Sequence, residues 1–362
     1  MGPVEEPDGE IMRKVFGLIF LLVILSGLTA AWEYHLMGSS RFLSLANLKN
    51  LLPWIGLYGI LALGQAMVII TGGIDLSVGS VVGMVGILTA VLVDKTAMPA
   101  ILAALIILCL SACIGAGHGL LVAKVNMQPF IVTLCGLFLY RGIARFAAED
   151  KSQTLGDAFG GLSWFGAGTV LDLLPGGPPP PGQPMSLFMS WASILAAPFL
   201  VMLMVAVILG AFLHFSPWGR HLLALGASED AARYSGVRTV QLKILAYITC
   251  SVIAGVAGLL FGFKIRSLGP SNFGEFYELY AIAGAVLGGC SLRGGSGNVL
   301  GVVLGVALLM VLRNLVNLLQ ISSQLEYVVI GGAILIGVFL DEMFTRRAER
   351  MRKKSVAGAR AA

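Results

Sequence analysis

The one carboxylate placed where chemistry would be unusual is Asp75. It lies in TGGIDLSVGS (Thr71 to Ser80), which interrupts an otherwise apolar run from Trp54 to Val93. An ionised carboxylate at the centre of a bilayer costs roughly 2.5 to 3.5 kcal/mol on insertion scales. Asp75 must therefore lie at an interface, in a wet cavity or beside a partner. A run of about 40 residues is twice the roughly 20 that cross a bilayer as helix, so the break separates two spans or sits at a bend between half-helices. Non-helical backbone at membrane depth is tolerated only where protein or water surrounds it, which makes Thr71 to Ser80 a candidate lining for a path through the membrane. A tight turn with Asp75 as helix N-cap fits the same residues.

Other chemistries have little support. Ser111 and His118 lie seven residues apart on one helix face, but no GxSxG elbow or other orienting pair accompanies them, so an intramembrane hydrolase is disfavoured. No glycine precedes any lysine, so the Walker A pattern is absent, and ATP, if used, is used by another subunit. Cys109, Cys113, Cys135, Cys250 and Cys290 show no ligand spacing and read as free core thiols, while His35, His118, His214 and His221 are scattered, which argues against a metal site. No catalytic residue and no cofactor is expected. Intramembrane charges suited to proton coupling are sparse, and Asp75, Arg141, Arg145, Glu278 and Arg313 mostly fall near expected span ends.

The elements that position Asp75 follow from composition. Of 362 residues, 57% are hydrophobic and 12% charged, with a mean hydropathy of +0.90, against about 25% charged in a soluble domain. The chain reads as an all-α polytopic membrane protein. The net charge of +5 concentrates near Met12 to Lys14 and in the tail Arg346 to Arg360, which is topology information and not a nucleic-acid footprint. Arg13 and Lys14 before the first apolar run (Val15 to about Trp32) put the N-terminus in the cytoplasm, a cleaved signal peptide being the alternative. Further spans are expected at about Trp54 to Ile70, Ser77 to Val93, the stretch ending at Ala123, Phe130 to Phe146, Trp191 to Phe215, Ile244 to Gly262, Leu279 to Gly289, Val299 to Leu319 and Tyr327 to Leu340. That makes about ten transmembrane helices with both termini cytoplasmic. The division is a cytoplasmic segment (1–14), a transmembrane domain (15–345) and a basic cytoplasmic tail (346–362). The long loop 147–190, acidic and carrying the run Pro178 to Pro181, suits the outer face, and the basic loop 216–243 the inner face.

A second glycine-rich break, GGCSLRGGSGNVLG (Gly288 to Gly301), resembles GGIDLSVGSVVG (Gly72 to Gly83), and paired breaks in two halves point to a transporter pathway. Gly79, Gly83 and Gly86, like Gly297, Gly301 and Gly305, have the spacing that lets helix backbones approach closely. In the basic loop, Ser228 can cap a short helix, Glu229 and Asp230 occupy its first turn, Ala231 to Tyr234 propagate it and Gly236 can end it. Two turns are marginal alone in water, so such a helix would persist by docking on a partner.

From Leu51 to Asp341 the chain resembles the membrane permease subunit of bacterial ATP-binding-cassette importers for ribose and other simple sugars. The resemblance rests on TGGIDLSVGS, NMQPFIVTL (Asn126 to Leu134) with RGIA (Arg141 to Ala144), ALGASEDAARYSGV (Ala224 to Val237) and ELYAIAGAVLGGCSLRGGSG (Glu278 to Gly297). It departs at Ala227 and Ser228, where the usual pattern has Gly-Asn, and in its proline-rich outer loop. The resemblance implies the importer permease fold in a bacterial inner membrane. It also implies a second permease copy or paralogue, a separate ATPase subunit that uses the ATP, and a periplasmic sugar-binding protein meeting the 147–190 loop. Ser228, Glu229, Asp230, Ala231, Arg233, Tyr234 and Gly236 would be the segment that docks on the ATPase. Gln65, Thr71, Asp75, Ser77, Asn126 and Thr133 are the candidate polar lining of the path. The alternatives are the same architecture carrying a nucleoside, an autoinducer or a branched-chain amino acid, and an ion-coupled secondary transporter.

Overall fold

The computed structural model describes residues 7–155, 157–175 and 186–322, with scattered positions from 325 to 343. The expected span Tyr327 to Leu340, the basic tail and the run Pro178 to Pro181 lie wholly or largely outside the described residues.

The chain is a helical bundle. Its helices are α1 (Pro7–Met37), α2 (Leu45–Ile70), α3 (Val78–Thr96), α4 (Ala100–Ala123), α5 (Pro129–Ala147), α6 (Trp164–Ala167), α7 (Leu187–Ile194), α8 (Ala197–Phe215), α9 (Pro217–Ala227), α10 (Glu229–Tyr234), α11 (Thr239–Ile265), α12 (Tyr277–Leu287) and α13 (Val299–Leu318). Among the described residues, eight of these (α1 to α5, α8, α11 and α13) are long and apolar enough to cross a membrane. They match eight of the expected spans.

The span expected at Leu279 to Gly289 is α12, which has only 11 residues and a length of about 16 Å, half of what a crossing needs. The span expected from Trp191 is also divided. Thr169 pairs with Ala196, Pro198 follows, and the chain runs as two helices, α7 and α8. The long loop after α5 carries structure of its own. Its strand β1 (Gln153–Thr154) pairs antiparallel with β2 (Ser267–Leu268) beyond the end of α11, and α6 lies against Leu260 and Phe263 of α11 at Gly166.

The core is built around α2 and α11. α2 is capped by Ser44, whose hydroxyl accepts from Asn47 N–H at 3.2 Å, and its residues from Ile55 to Ile70 are all buried. Burial on every side explains why α2 shows no polar face. Gly56 and Gly59 admit Pro198, Phe199 and Met202 of α8, and Gly64 admits Ile253 of α11. Around this core, α1, α4, α5 and α8 turn large apolar side chains outward, among them Phe20, Val23, Leu105, Phe138 and Val207, as a lipid-facing shell does. Cys109, Cys113 and Cys135 belong to that exposed shell, and only Cys250 and Cys290 are core thiols.

α11, 27 residues and about 40 Å long, serves as a ruler for depth. Gly73 lies against the Tyr247 hydroxyl, eight residues or about 12 Å along α11, and Val82 lies against Gly258, nineteen residues or about 28 Å along it. The segment 71–77 therefore turns back into the bundle, and α3 begins near mid-depth. β1, β2 and the α5–α6 connection mark one end of the bundle. The Thr71 turn, the α4–α5 link, α9, α10 and the second break mark the other.

Candidate functional site

Asp75 is 1% exposed and uses its two oxygens differently. Oδ1 accepts from Ser77 N–H at 2.8 Å and from Ser77 Oγ at 2.6 Å, closing the turn that launches α3. The residue at the N-cap position is Ser77, so Asp75 acts two residues before the cap. The Gln65 carboxamide, in the orientation that satisfies both partners, accepts from Asp75 N–H at 3.0 Å and donates to the Asp75 carbonyl at 3.2 Å. The Thr133 hydroxyl reaches the Ile74 carbonyl at 3.2 Å and its own helix at the Pro129 carbonyl, 2.9 Å. A backbone that has left the helix is thus satisfied by side chains from α2 and α5.

The second oxygen, Oδ2, faces His118 Nδ1 of α4 at 3.8 Å. On its other side, His118 Nε2 shares a 2.8 Å hydrogen bond with the Tyr140 hydroxyl of α5. With the phenol as donor, the ring proton sits on Nδ1 and points toward Asp75. Among the described residues, Asp75 Oδ2, His118 Nδ1 and the Tyr247 hydroxyl have no hydrogen-bond partner although all three are buried. Ser111 does not pair with His118, because its hydroxyl donates to the Ile107 carbonyl at 3.0 Å.

At mid-depth the N-termini of α3 and α12 meet. A Cβ at Gly79 would overlap Glu278 Oε2 and the Gly274 carbonyl, and one at Gly83 would come within 2.6 Å of the Phe273 carbonyl. Arg141 of α5 donates to that same Phe273 carbonyl at 2.5 Å. The expected glycine face of α3 is therefore a packing face, and its neighbour is the descending segment 268–278. Glu278 sits at this mid-depth junction and not at a span end. Arg141 lies six residues or about 9 Å from the Ala147 end of α5 and reaches the same junction through the Phe273 carbonyl.

A further group of glycine-dependent contacts lies at the end of the bundle that carries α10. Gly295 N–H donates to the Ile70 carbonyl at 2.9 Å, tying the second break to the end of α2. A Cβ at Gly226, the penultimate residue of α9, would overlap the Ile70 carbonyl and Gly295 N, and one at Gly294 would lie 2.8 Å from the Gly226 carbonyl and Gly72 N. Gly72, Gly294 and Gly295 have φ of 80°, 85° and 78°, so this joint needs glycine for conformation as well as space. Gly301 and Gly305 pack in the same way on Gly288 and Gly284, joining α13 to α12.

Two residues beyond Gly226, α10 forms as its sequence dictates. The Ser228 hydroxyl accepts from Ala231 N–H at 3.3 Å, and Gly236, φ 82°, ends the helix with its N–H on the Arg233 carbonyl. Glu229 accepts from Lys243 of α11 at 2.6 Å and from Arg233 at 3.4 Å. Burial raises the Glu229 pKa, but the Lys243 hydrogen bond and the charges of Lys243 and Arg233 outweigh it and hold the carboxyl below its ordinary value. Asp230, Ala231 and Arg233 are exposed, and Tyr234 is 92% exposed, a large ring presented to solvent.

Between this helix and the Thr71 turn is a cavity of about 330 Å³, lined by Thr71, Gly73, Asn126, Gln128, Lys243 and Tyr247 among others. Of the six polar residues expected to line a path, Thr71 and Asn126 face this cavity, whereas Gln65, Asp75, Ser77 and Thr133 are buried around the break just beyond it. His118, Tyr140 and Tyr247 complete the cluster. The sequence set His118 beside Ser111 on its own helix, since its neighbour Asp75 is on another element.

The sequence profile of the family described as branched-chain amino acid transport system / permease component matches residues 47–338. The ribose import permease protein of Escherichia coli K12 is 35% identical over 336 residues, 91% of this chain and 92% of that protein. The ribose import permease protein of Bacillus subtilis 168 is 35% identical over 338 residues, 92% and 94% of the two chains. The L-arabinose transport system permease protein of Escherichia coli K12 is 31% identical over 325 residues, 86% of each. No solved structure matches. With four-fifths of its length inside the profile and its helices built to cross a bilayer, the chain belongs to the family of permease components of branched-chain amino acid transport systems.

Proposed function

We propose that this chain is the transmembrane permease subunit of an ATP-driven, binding-protein-dependent importer of a monosaccharide or similar polyol. The observation that carries this reading is the likeness to ribose and arabinose permeases over 86 to 92% of the chain. The partners are an ATPase subunit, which uses the ATP, a periplasmic sugar-binding protein, and a second permease copy or paralogue. The permease itself holds no cofactor and performs no catalysis.

The geometry suggests how coupling works. Tyr234, Asp230 and Arg233 on α10 dock in the ATPase, while Glu229 and Lys243 pin the helix to α11. Closure of the ATPases displaces α10, and Gly226 and Ala227 carry that displacement to the Ile70 end of α2 and to the second break. The break at Asp75 is one turn away, so the two breaks shift together and alternate the access of the cavity. Closure can do this only through contacts that differ between the two states, and the tightly fitted glycine joint supplies them. The polar set Gln65, Thr71, Asp75, Ser77, Asn126 and Thr133 then offers hydrogen bonds to hydroxyls along the way without a deep binding site.

The reading is tested by reconstituting the permease with its ATPase and binding protein in proteoliposomes and following D-ribose, L-arabinose and D-xylose. ATP-dependent accumulation of at least one is expected, and accumulation of none would overturn the sugar reading. Capture of the ATPase by detergent-solubilised protein should be lost when Glu229, Asp230 and Arg233 are all alanine. Equal capture would place the dock elsewhere.

A further inference from the structure

We propose that the cavity between the Thr71 turn and α10 is a release site for a single neutral sugar ring, with the Tyr247 hydroxyl as its innermost contact. This rests on the reading of the chain as a sugar permease whose α10 docks on the ATPase. The cavity of about 330 Å³ lies at the small end of ligand pockets, which run from roughly 300 to 1,000 Å³, and so suits one ring and not a chain of them. Its walls come from the first break at Thr71 to Gly73, from the α4–α5 link, from α11 through Lys243 and Tyr247, and from α10 through Glu229.

The innermost wall holds an unanswered hydroxyl. Tyr247 is buried, and its hydroxyl has no hydrogen-bond partner among the described residues. A phenylalanine would pack edge-on against the His118 ring as Tyr247 does, at 6.3 Å between centroids, without the cost of a buried polar atom left unmatched. The hydroxyl stands at the cavity wall. Gly73, which lines the same wall, puts no side chain there, and a Cβ at Gly73 would come within 2.8 Å of the hydroxyl. Asp75 Oδ2 and His118 Nδ1, likewise buried without hydrogen bonds among the described residues, continue the row of unmatched polar atoms from Tyr247 to the break.

The rest of the lining decides what fits. Its charged residues, Glu229 and Lys243, are bonded to each other at 2.6 Å, so no spare charge faces the cavity. The Thr71 hydroxyl donates to the Val68 carbonyl at 2.7 Å and is left to accept. The Asn126 and Gln128 carboxamides make no hydrogen bond among the described residues and can both donate and accept. Val122, Met127 and Pro129 add apolar surface beside them. A monosaccharide matches this mixture, with hydroxyls that donate and accept and C–H faces between them. An α-amino acid brings an ammonium and a carboxylate, which would find counter-charges only by breaking the Glu229 and Lys243 pair.

Glu229 also makes this a site that the ATPase can change. It is the first residue of α10, so displacement of α10 moves one wall while Tyr247 stays on α11. A moving wall gives the two states different affinities for the sugar, which is what release requires.

The experiment uses the full-length permease with Cys109, Cys113 and Cys135 replaced by serine, and whichever of D-ribose, L-arabinose or D-xylose the complete transporter accumulates in proteoliposomes. Met127→Cys puts a thiol on the apolar part of the lining, with Val122→Cys as its substitute should the first variant fail to capture the ATPase. The complex of permease and ATPase is labelled with a charged thiol reagent in nanodiscs, where both faces meet solvent. The accumulated sugar, at tens of millimolar, should slow labelling threefold or more, and L-leucine at the same concentration should leave it unchanged. With Tyr247→Phe added, labelling without sugar should keep its rate while the protection by sugar is lost, and uptake should fall about fivefold with ATPase capture at the parental level. A purely structural hydroxyl would instead alter the unprotected rate or the capture. Gln128→Ala, at an exposed position, should weaken the protection as well and serves alone should Tyr247→Phe fail to capture the ATPase. Absence of labelling would mean a cavity closed to solvent, and labelling indifferent to sugar, or slowed equally by leucine, a wet cleft without a sugar contact. Protection that survives these substitutions would take the contact away from the residues named. Each of these results overturns the site while leaving transport intact. Absence of uptake of all three sugars by the parent protein would instead overturn the sugar reading on which the site depends.

Discussion

Asp75 Oδ1 is held by Ser77 at 2.8 and 2.6 Å, while Oδ2, with no hydrogen bond among the described residues, faces His118 at 3.8 Å, and this division gives a sharp prediction. Asp75→Asn keeps an oxygen for the turn that starts α3 but removes the charge facing His118. Uptake should fall at least tenfold, with membrane insertion and ATPase capture at parental levels. Normal uptake would remove Asp75 from the path. The importance of Asp75 was legible in the sequence because a carboxylate within an apolar run must have a reason to be there. Its partners were not legible. His118, Tyr140 and Tyr247 sit on three other helices, and only their packing brings them to one point.

For the helices, local signals were read correctly and lengths were not always. The cap, acidic first turn and terminating glycine of α10 all act within a few residues, so the sequence specifies Ser228 to Gly236 without reference to the rest of the chain. α12 was taken as a span because an apolar run gives no sign of ending halfway across a membrane. Its partner in that half-crossing is α3, whose N-terminus it meets. Two predictions belong to α10 and its neighbours. Gly226→Ala should leave ATPase capture intact and uncouple it, so that ATP is hydrolysed while uptake drops severalfold, because the added methyl displaces the Ile70 carbonyl and Gly295 from each other. Coupled uptake at the parental rate would show that the joint transmits nothing. Glu229→Gln should loosen α10 by at most about 1 kcal/mol, since the Lys243 pair is partly solvated. The Glu229 contribution is complete above the ordinary glutamate range and lost as pH falls through its lowered pKa, so capture of the ATPase should be flat near neutrality and weaken in acid. The Glu229→Gln variant should show less of that acid loss, and an identical pH profile would assign the loss to another group.

For the whole molecule, the apolar shell and the family place the chain as a multi-pass inner-membrane protein, and charges of both signs lie at each end. The end with α9 and α10 carries exposed Arg220, Arg233 and Arg238 beside Glu229 and Asp230, and the end with β1 carries Lys95, Arg145, Lys151 and Arg266 beside Glu149, Asp150 and Asp172. Hydrogen bonds and charges from Lys151 and Lys95 hold the Glu149 pKa down, and those from Arg145 hold the Asp150 pKa down, so both carboxylates stay ionised well below neutral pH. A dock of α10 on an ATPase requires the α10 end to face the cytoplasm, and labelling tests that orientation directly. In a protein freed of its three exposed cysteines, Lys151→Cys should react with an impermeant maleimide in intact spheroplasts, and Arg220→Cys only after permeabilisation. This pair tests more than orientation. α10 lies at the Arg220 end, and ATP is available on the cytoplasmic side alone, so the reverse labelling pattern would separate α10 from any ATPase. The glycine joint would then need another role, and the coupling mechanism would fail whatever the result with Gly226.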